Sequence, residues 1–198
     1  MKALGLLAQA LRKVFNPQFT TDGSDDTGNY SPIVVGGVSI SGGLATFHNT
    51  SSERIYYSGG TKLRLQTDTE FEVRFRIVAK GGVGVILSCL DGATSSNGFY
   101  IFVNDIIPTL GFYGVGIGSI FMAATIPIGV FTTVRCIYKR SRNKMLIFVD
   151  GTLSATLDVP NFNSVTNTPR DVCVGVLKPS DTTRPLSGDI DYIIIRER

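Results

Sequence analysis

Paired carboxylates are the residues of this sequence that come closest to a catalytic pattern, because two of them flanking a glycosidic bond can hydrolyse it. The four glutamates are Glu53, Glu70, Glu72 and Glu197. Glu70 and Glu72 lie two residues apart and share one face of a strand. Arg74 and Arg76 follow on the same face, and no aspartate stands between the two glutamates. The pattern therefore does not predict a hydrolase, and we expect a non-catalytic protein.

The other motifs that could support catalysis or hold an ion are incomplete. His48 is the single histidine, and neither a second metal ligand nor a nucleophile motif lies near it. The glycine-rich run at residues 114–118 lacks the helix and the lysine of a phosphate-binding loop. Asp22, Asp25 and Asp26 do not have the spacing of an EF-hand loop, so we expect a solvated acidic cluster. No cofactor and no metal site is predicted, although Ca²⁺ is the ion that loop carboxylates could hold.

The elements that position these residues are predicted to be β-strands. Alternating apolar residues over 133–139 indicate a half-buried strand. Residues 145–149 and 153–157 form two further strands, and Asp150-Gly151 between them predicts a type I′ hairpin turn. In residues 69–80 the apolar side chains point to the core, and the charged side chains point outward and pair with neighbouring strands.

Short apolar runs separated by glycine and polar turns predict the rest of the sheet. The further predicted strands cover residues 33–35, 38–40, 44–47, 54–57, 83–90, 98–103, 110–113, 120–124, 172–177 and 190–195. With 22 glycines and 8 prolines among 198 residues, this spacing is typical of a many-stranded sandwich. The sequence therefore predicts an all-β domain over residues 33–198.

An amphipathic α-helix is predicted over residues 1–16. Its apolar stripe has helical spacing and consists of Leu4, Leu7, Ala8, Leu11, Val14 and Phe15. A helix of this length is marginal alone in water, so the stripe should be buried against its own sandwich, a partner subunit or a membrane surface. We favour docking into a larger assembly. Residues 17–32 are predicted to be a linker.

The stretch Ile126-Pro127-Ile128-Gly129, the segment Asn143-Lys144-Met145 and the turn Val149-Asp150-Gly151 resemble the laminin G-like branch of the concanavalin A-like lectin/glucanase superfamily. Gly188-Asp189-Ile190-Asp191-Tyr192-Ile193 is similar to the closing strand of that branch. The resemblance covers residues 70–198. It implies a jelly-roll sandwich of two antiparallel sheets and assigns Asp189 and Asp191 to turn and edge hydrogen bonding. Since the family is functionally broad, it implies architecture more than activity.

Composition excludes several classes of protein. The formal net charge is +3, which is too small to predict a nucleic-acid partner. No apolar run reaches the length of a membrane span. Cys89, Cys136 and Cys173 lie in predicted strands, and their odd number and wide spacing indicate buried free thiols. The apolar stretch after Lys2 is at the lower limit of length for a signal peptide and is followed by the basic residues Arg12 and Lys13, so secretion by that route is not expected.

Binding is the better class of function. The candidate ligand residues lie in or beside loops and are Asp91, Asn97, Tyr100, Asn104, Asp105 and Tyr113. The densest positive patch is a turn made by Lys139, Arg140, Arg142 and Lys144. We expect it to be a solvated hairpin tip, or else a contact for an anionic neighbour that weakens as salt rises.

Two functions follow from these features. The first is a structural component of a virion, such as a bacteriophage capsid decoration or tail protein, assembled in the cytoplasm and docked to other protein subunits through its helix. The second is a carbohydrate-binding lectin that recognises cell-surface glycans through its loops. Sugar-dependent retention on a glycan surface separates the two.

Overall fold

The computed structural model describes residues 11–20, 22–50, 52–58, 67–78, 83–90, 98–104, 109–114, 118–159, 171–177 and 184–198. Within them the chain forms fifteen strands: β1 (Arg12–Phe15), β2 (Ser31–Val35), β3 (Ser39–Ser41), β4 (Leu44–His48), β5 (Arg54–Ser58), β6 (Thr69–Ile77), β7 (Val83–Leu90), β8 (Gly98–Asn104), β9 (Thr109–Gly114), β10 (Gly118–Thr125), β11 (Thr132–Lys139), β12 (Lys144–Val149), β13 (Thr152–Asp158), β14 (Asp171–Val174) and β15 (Ser187–Glu197). A three-residue 3₁₀ turn, Arg140–Arg142, joins β11 to β12. No helix in the described part of the chain has the length and hydropathy needed to cross a membrane.

The strands form two antiparallel sheets. The first has the order β13-β12-β11-β6-β15-β4-β3, with β1 also paired to β15. The second has the order β10-β9-β8-β7-β14-β5-β2. The predicted all-β sandwich of two antiparallel sheets is thereby confirmed, and each predicted strand after residue 32 overlaps an observed one.

The core lies between the two sheets and follows from the period of two in the strands. On β6, Phe71, Val73 and Phe75 are fully buried, whereas the charged residues between them face outward. The ring of Phe71 lies 4.5 Å from that of Phe99 on β8, so aromatic side chains join the two sheets. All three cysteines are buried and none of them is in a disulfide, as the sequence predicts.

The hairpin between β12 and β13 has the geometry that its sequence predicts. Asp150 and Gly151 both have positive φ, 47° and 80°, as a type I′ turn requires. The Asp150 carboxylate also accepts a hydrogen bond from the Thr133 amide at 2.8 Å. This contact fixes the turn against the start of β11.

The N-terminal helix is wrong for every residue of it that the structure describes. Leu11 lies outside any helix, and Arg12–Phe15 form strand β1 along the end of β15. A register shift between Lys13 and Phe15 turns both Val14 and Phe15 into the core, where they are buried. In sequence, these two adjacent apolar residues fit the spacing of the apolar stripe of an amphipathic helix. Leu4, Leu7 and Ala8 lie outside the described residues.

The segment after β1 packs on the sandwich. Phe19 and Tyr30 are buried, and the Asp25 carboxylate, 7% exposed, accepts hydrogen bonds from the backbone amides of Asn16 and Tyr30 at 2.8 and 3.2 Å. The expected solvated acidic cluster is therefore wrong for Asp25. Its carboxylate closes a loop onto β1 because a buried anion needs several donors.

Candidate functional site

The outer face of the first sheet carries a network of charged side chains. Alternation on β6 points Glu70, Glu72, Arg74 and Arg76 away from the core. Arg135 on the neighbouring strand β11 faces the same way, and β15 contributes acidic and basic partners from the other side. The predicted outward, paired arrangement of the β6 charges is confirmed.

Glu70 is the centre of this network. Its carboxylate, only 5% exposed, accepts a hydrogen bond from Nη2 of Arg135 at 2.5 Å and a second from Nη1 of Arg196. The pKa of the Arg135 guanidinium is raised, chiefly by the hydrogen bond to Glu70 and against the effect of burial. Nearly half of the Arg135 side chain nevertheless faces solvent, at 46% exposure. Arg135 is thus both anchored and accessible.

Glu72 extends the network towards β15. Arg196 donates to it at 3.0 Å, and the Tyr192 hydroxyl donates to its other oxygen, also at 3.0 Å. Burial raises the pKa of Tyr192, and its hydrogen bond to Glu72 raises it further. The phenol therefore stays a neutral donor. Both glutamates are thus held by hydrogen-bond donors from neighbouring strands.

These side chains line a groove of about 500 Å³. The lining residues are Glu70, Glu72, Thr133, Arg135, Phe148, Gly151 and Arg196. The Arg135 guanidinium lies 6.0 Å from the centre of the half-buried Phe148 ring. The groove thus combines fixed donors, fixed acceptors and an aromatic face. This set of groups suits a ligand that carries many hydroxyls on an apolar ring.

The same face continues beyond the groove as a second arginine cluster. The guanidinium groups of Arg74 and Arg76 each lie 4.8 Å from the centre of the Phe131 ring. Arg76 donates twice to Asp189, at 2.9 and 2.5 Å, and Arg74 donates to Asp191. Asp189 and Asp191 therefore make structural hydrogen bonds, as the resemblance implies, but not at a sheet edge, because β15 lies between β6 and β4.

Two of the predicted ligand residues meet on the outer face of the second sheet. The rings of Tyr100 and Tyr113 stack at 4.8 Å with 21° between their planes. Arg184 donates to the Tyr100 hydroxyl at 3.2 Å and lies over its ring. Tyr100 is only 8% exposed, so its ring is not an open surface for a ligand. Asn104 is half-buried at the end of β8, and the remaining candidates, Asp91, Asn97 and Asp105, lie outside the described residues.

The predicted basic turn lies at the end of the first sheet where β11 stops and β12 starts. Lys139 contacts Asp68 at 3.4 Å, and the backbone amide of Arg140 donates to the same carboxylate at 3.1 Å. Lys144 pairs with the exposed Asp158 at 2.8 Å, and Arg142 is exposed. The four residues therefore surround one end of the sheet and do not line the groove.

Metal ligands do not gather in the described part of the chain, where no group of three or more His, Cys, Asp or Glu side chains is placed to hold an ion. His48 Nδ1 lies 2.8 Å from the buried Glu53 carboxylate, which also accepts a hydrogen bond from the His48 backbone amide. The histidine thus has a structural partner that joins the end of β4 to the start of β5.

Sequence reasoning missed the groove residues Thr133, Arg135, Phe148 and Arg196. The alternation along β11 and β12 does predict that Arg135 and Phe148 face away from the core. Their convergence depends on the strand order, because β15 reaches the sheet next to β6 from the far end of the chain.

No protein-family model matches the sequence, and no curated protein matches it. Among solved structures, the fold is similar to the CBM40 of Ruminococcus gnavus IT-sialidase bound to α2,3 sialyllactose. That likeness has a TM-score of 0.63 at 14% identity and covers 93% of this chain and 91% of the other. At such low identity the comparison shows the fold alone.

Botulinum neurotoxin binding domains are also similar in fold. The serotype D binding domain has a TM-score of 0.68 at 10% identity, covering 94% of this chain and 48% of that one. The type C structure, described in connection with cell entry through two ganglioside molecules, has a TM-score of 0.69 at 12% identity, with 93% and 47% covered. The chain thus spans about half of the toxin domains and nearly all of the sialidase CBM40.

These neighbours establish a lectin-like, jelly-roll sandwich. They are a carbohydrate-binding module and the binding domains of toxins. The virion location and the docking to protein subunits stay predictions from the sequence.

Proposed function

We propose that this protein is a non-catalytic carbohydrate-binding module that holds an oligosaccharide in the groove on the outer face of the first sheet. The groove carries the proposal, because its donors, acceptors and aromatic ring are held in place by the sheet and by one another. A preorganised site loses little side-chain freedom when a ligand binds. We also assign the chain to the concanavalin A-like superfamily, as the sequence resemblance implies.

Arg135 is the principal ligand-binding residue in this proposal. A guanidinium has five N–H donors in a fixed plane, and the bond to Glu70 uses one nitrogen of the group. The remaining donors can reach a carboxylate or a pair of hydroxyls on the ligand. The bond to Glu70 restrains the guanidinium, so Arg135 presents these donors in a limited range of orientations.

Phe148 and Thr133 complete the site. The Phe148 ring offers an apolar face to the C–H side of a sugar, and its contact with Arg135 places that face beside the donors. Thr133 supplies a hydroxyl on the strand next to Phe148. The groove combines two arginines with two glutamates, so an added carboxylate meets no net negative charge.

The ligand class that we favour is a glycan with an acidic sugar. The solved neighbours name α2,3 sialyllactose and gangliosides as ligands. In this chain, a sugar carboxylate would pair with the exposed donors of Arg135, and the neutral sugars would lie along Phe148. A neutral oligosaccharide would use the same ring with fewer charged contacts.

Arg135→Ala and Phe148→Ala test the proposal by calorimetric titration with sialyllactose and with lactose. Arg135→Ala should bind at least about tenfold more weakly, because a charged hydrogen bond contributes about 1.5–3 kcal/mol. Phe148→Ala should also bind more weakly, because it removes the apolar face on which the sugar would lie. Arg74→Ala is the matched control: it removes an arginine of similar exposure, 42%, from the same face outside the groove. Equal losses in the control, or full binding by both groove variants, would place the site elsewhere.

A further inference from the structure

One end of the first sheet is strongly basic, and the groove does not use it. Lys139 and Lys144 are register partners at this end, where β11 stops and β12 starts. Arg140 and Arg142 lie in the turn between them. On the far side, Arg198 follows β15 and contacts Asp68 at 3.8 Å. Residues that are separate in sequence therefore meet on one surface.

Strand β1 adds two more basic residues to this end. Arg12 pairs in register with Glu197, and Lys13 follows it. Both are exposed, and beside them the loop after Asp25 leaves a concavity of about 330 Å³. This concavity is lined by Arg12, Lys13, Asp26, Thr27 and Asn29. From β13 to β1 the surface crosses six adjacent strands, or about 24 Å at the usual strand spacing.

The positive charge of this surface is only partly neutralised. Its seven basic side chains are Arg12, Lys13, Lys139, Arg140, Arg142, Lys144 and Arg198, and its four acidic ones are Asp26, Asp68, Asp158 and Glu197. Within the described residues, Arg12, Lys13 and Arg142 form no ion pair. We call these seven residues the basic end.

We propose that the basic end binds the surface of an anionic lipid membrane. Its charged side chains are long, face solvent and are spread over a wide end of the sandwich. This arrangement suits a layer of mobile phosphate headgroups better than a single ligand of fixed shape. The one aromatic residue at the end of β11, Tyr138, is fully buried, so it offers no surface on which nucleic-acid bases could stack.

The position of the basic end also agrees with the groove. Arg196 lines the groove, and Arg198, two residues further along the same chain end, belongs to the basic end. A molecule standing on a membrane with this end would keep its groove open to the side, at the level of headgroups. The lipid contact does not depend on the glycan proposal, because vesicles without glycans test it.

The experiment measures co-sedimentation of the full chain with phosphatidylcholine vesicles, with and without phosphatidylglycerol. Binding should require phosphatidylglycerol and should fall steeply as salt rises, since the contacts are exposed. Arg142→Ser/Lys144→Ser should weaken vesicle binding by roughly 25-fold, at about fivefold for each basic residue. Circular dichroism and the melting temperature verify that the variant is folded.

Arg54→Ser/Arg74→Ser is the matched control, because it removes two positive charges from other surfaces of the sandwich. It should retain most of the vesicle binding. An equal loss in both double variants would show that vesicle binding depends on net charge alone, and this would overturn the proposal. Absence of binding to phosphatidylglycerol vesicles would also overturn it, even if the protein bound the soluble polyanion dextran sulfate.

Discussion

Arg135 donates to Glu70 at 2.5 Å, although the residue directly opposite it in the β6–β11 register is Glu72. The contact is therefore diagonal, and diagonal neighbours in an antiparallel pair are within reach of long side chains. Arg196 on β15, in register with Glu70 from the other side, bonds to both glutamates. One buried carboxylate thus fixes arginines from two different strands and sets the shape of the groove.

Glu70→Gln should lower the free energy of unfolding by about 2 kcal/mol, because hydrogen bonds to charged groups contribute about 1.5–3 kcal/mol. Urea denaturation monitored by circular dichroism measures this change. Glu72→Gln is the control: Glu72 is more exposed, at 21%, and its loss should cost about 1 kcal/mol or less. Equal effects of the two substitutions would show that Glu70 is not the centre of the network.

Gly111→Ala should destabilise the second sheet. A Cβ at this position would lie 2.2 Å from Cζ of Phe102, whose buried ring covers the glycine. The ring must move, at a cost of about 1–3 kcal/mol. Gly84→Ala on β7, two strands away in the same sheet, is the control, since its Cβ would meet Leu186 at an ordinary 3.4 Å. Thermal melts should show a lower midpoint for the first variant and an unchanged or higher one for the second.

The strands were predictable from local pattern, but β1 was not. Its four residues have no alternation, because the register shift between Lys13 and Phe15 buries Val14 and Phe15 together. In sequence these two residues complete a stripe of helical period. The partner that makes them a strand is β15, at the other end of the chain. Local propensity carries no information about such a distant partner.

The groove was predictable only in part. Alternation on β6 shows that Glu70 and Glu72 face outward, and their need for basic partners follows from charge. Sequence does not show that the partners are Arg135 and Arg196, because a one-residue change of register would exchange the faces of a whole strand. The sequence predicts Tyr100 as a ligand residue, but packing against Tyr113 and Arg184 buries it.

Asp25→Asn should lower the free energy of unfolding by about 2–3 kcal/mol, because the buried carboxylate accepts several charge-assisted hydrogen bonds that an amide does not replace. Its partners are the backbone amides of Asn16, Thr27, Asn29 and Tyr30 and the hydroxyl of Thr27. Asp22→Asn, at an exposed position in the same loop, should change the free energy by less than about 0.5 kcal/mol. Chemical denaturation of both variants measures the difference, and equal losses would contradict the role of Asp25.

Alkaline pH should destabilise the protein through its buried thiols and through tyrosines whose pKa is raised, Tyr56 among them. Burial raises the pKa of Cys136 and of Cys173 from 9.0 to about 12. Burial and the hydrogen bond to Asp171 raise the pKa of Tyr56 from 10.0 to about 12. Between pH 9 and 12 the unfolded chain releases protons that the folded chain keeps, so the free energy of unfolding falls as pH rises.

The measurement that checks this pH dependence is urea denaturation at a series of pH values, in the wild type and in Cys136→Ala and Tyr56→Phe variants. The stabilising contribution of each raised pKa is complete below the unfolded-state value and is lost as pH rises towards about 12. In Cys136→Ala the free energy of unfolding should decrease less steeply with pH from pH 9 upward. In Tyr56→Phe it should decrease less steeply only above pH 10. A thiol reagent supplies an independent test: Cys136 should react much more slowly in the native protein than in urea, because it is fully buried and its raised pKa lowers the thiolate fraction. Rapid labelling of Cys136 in the native protein, or a slope that Cys136→Ala leaves unchanged, would contradict the assigned burial of this thiol.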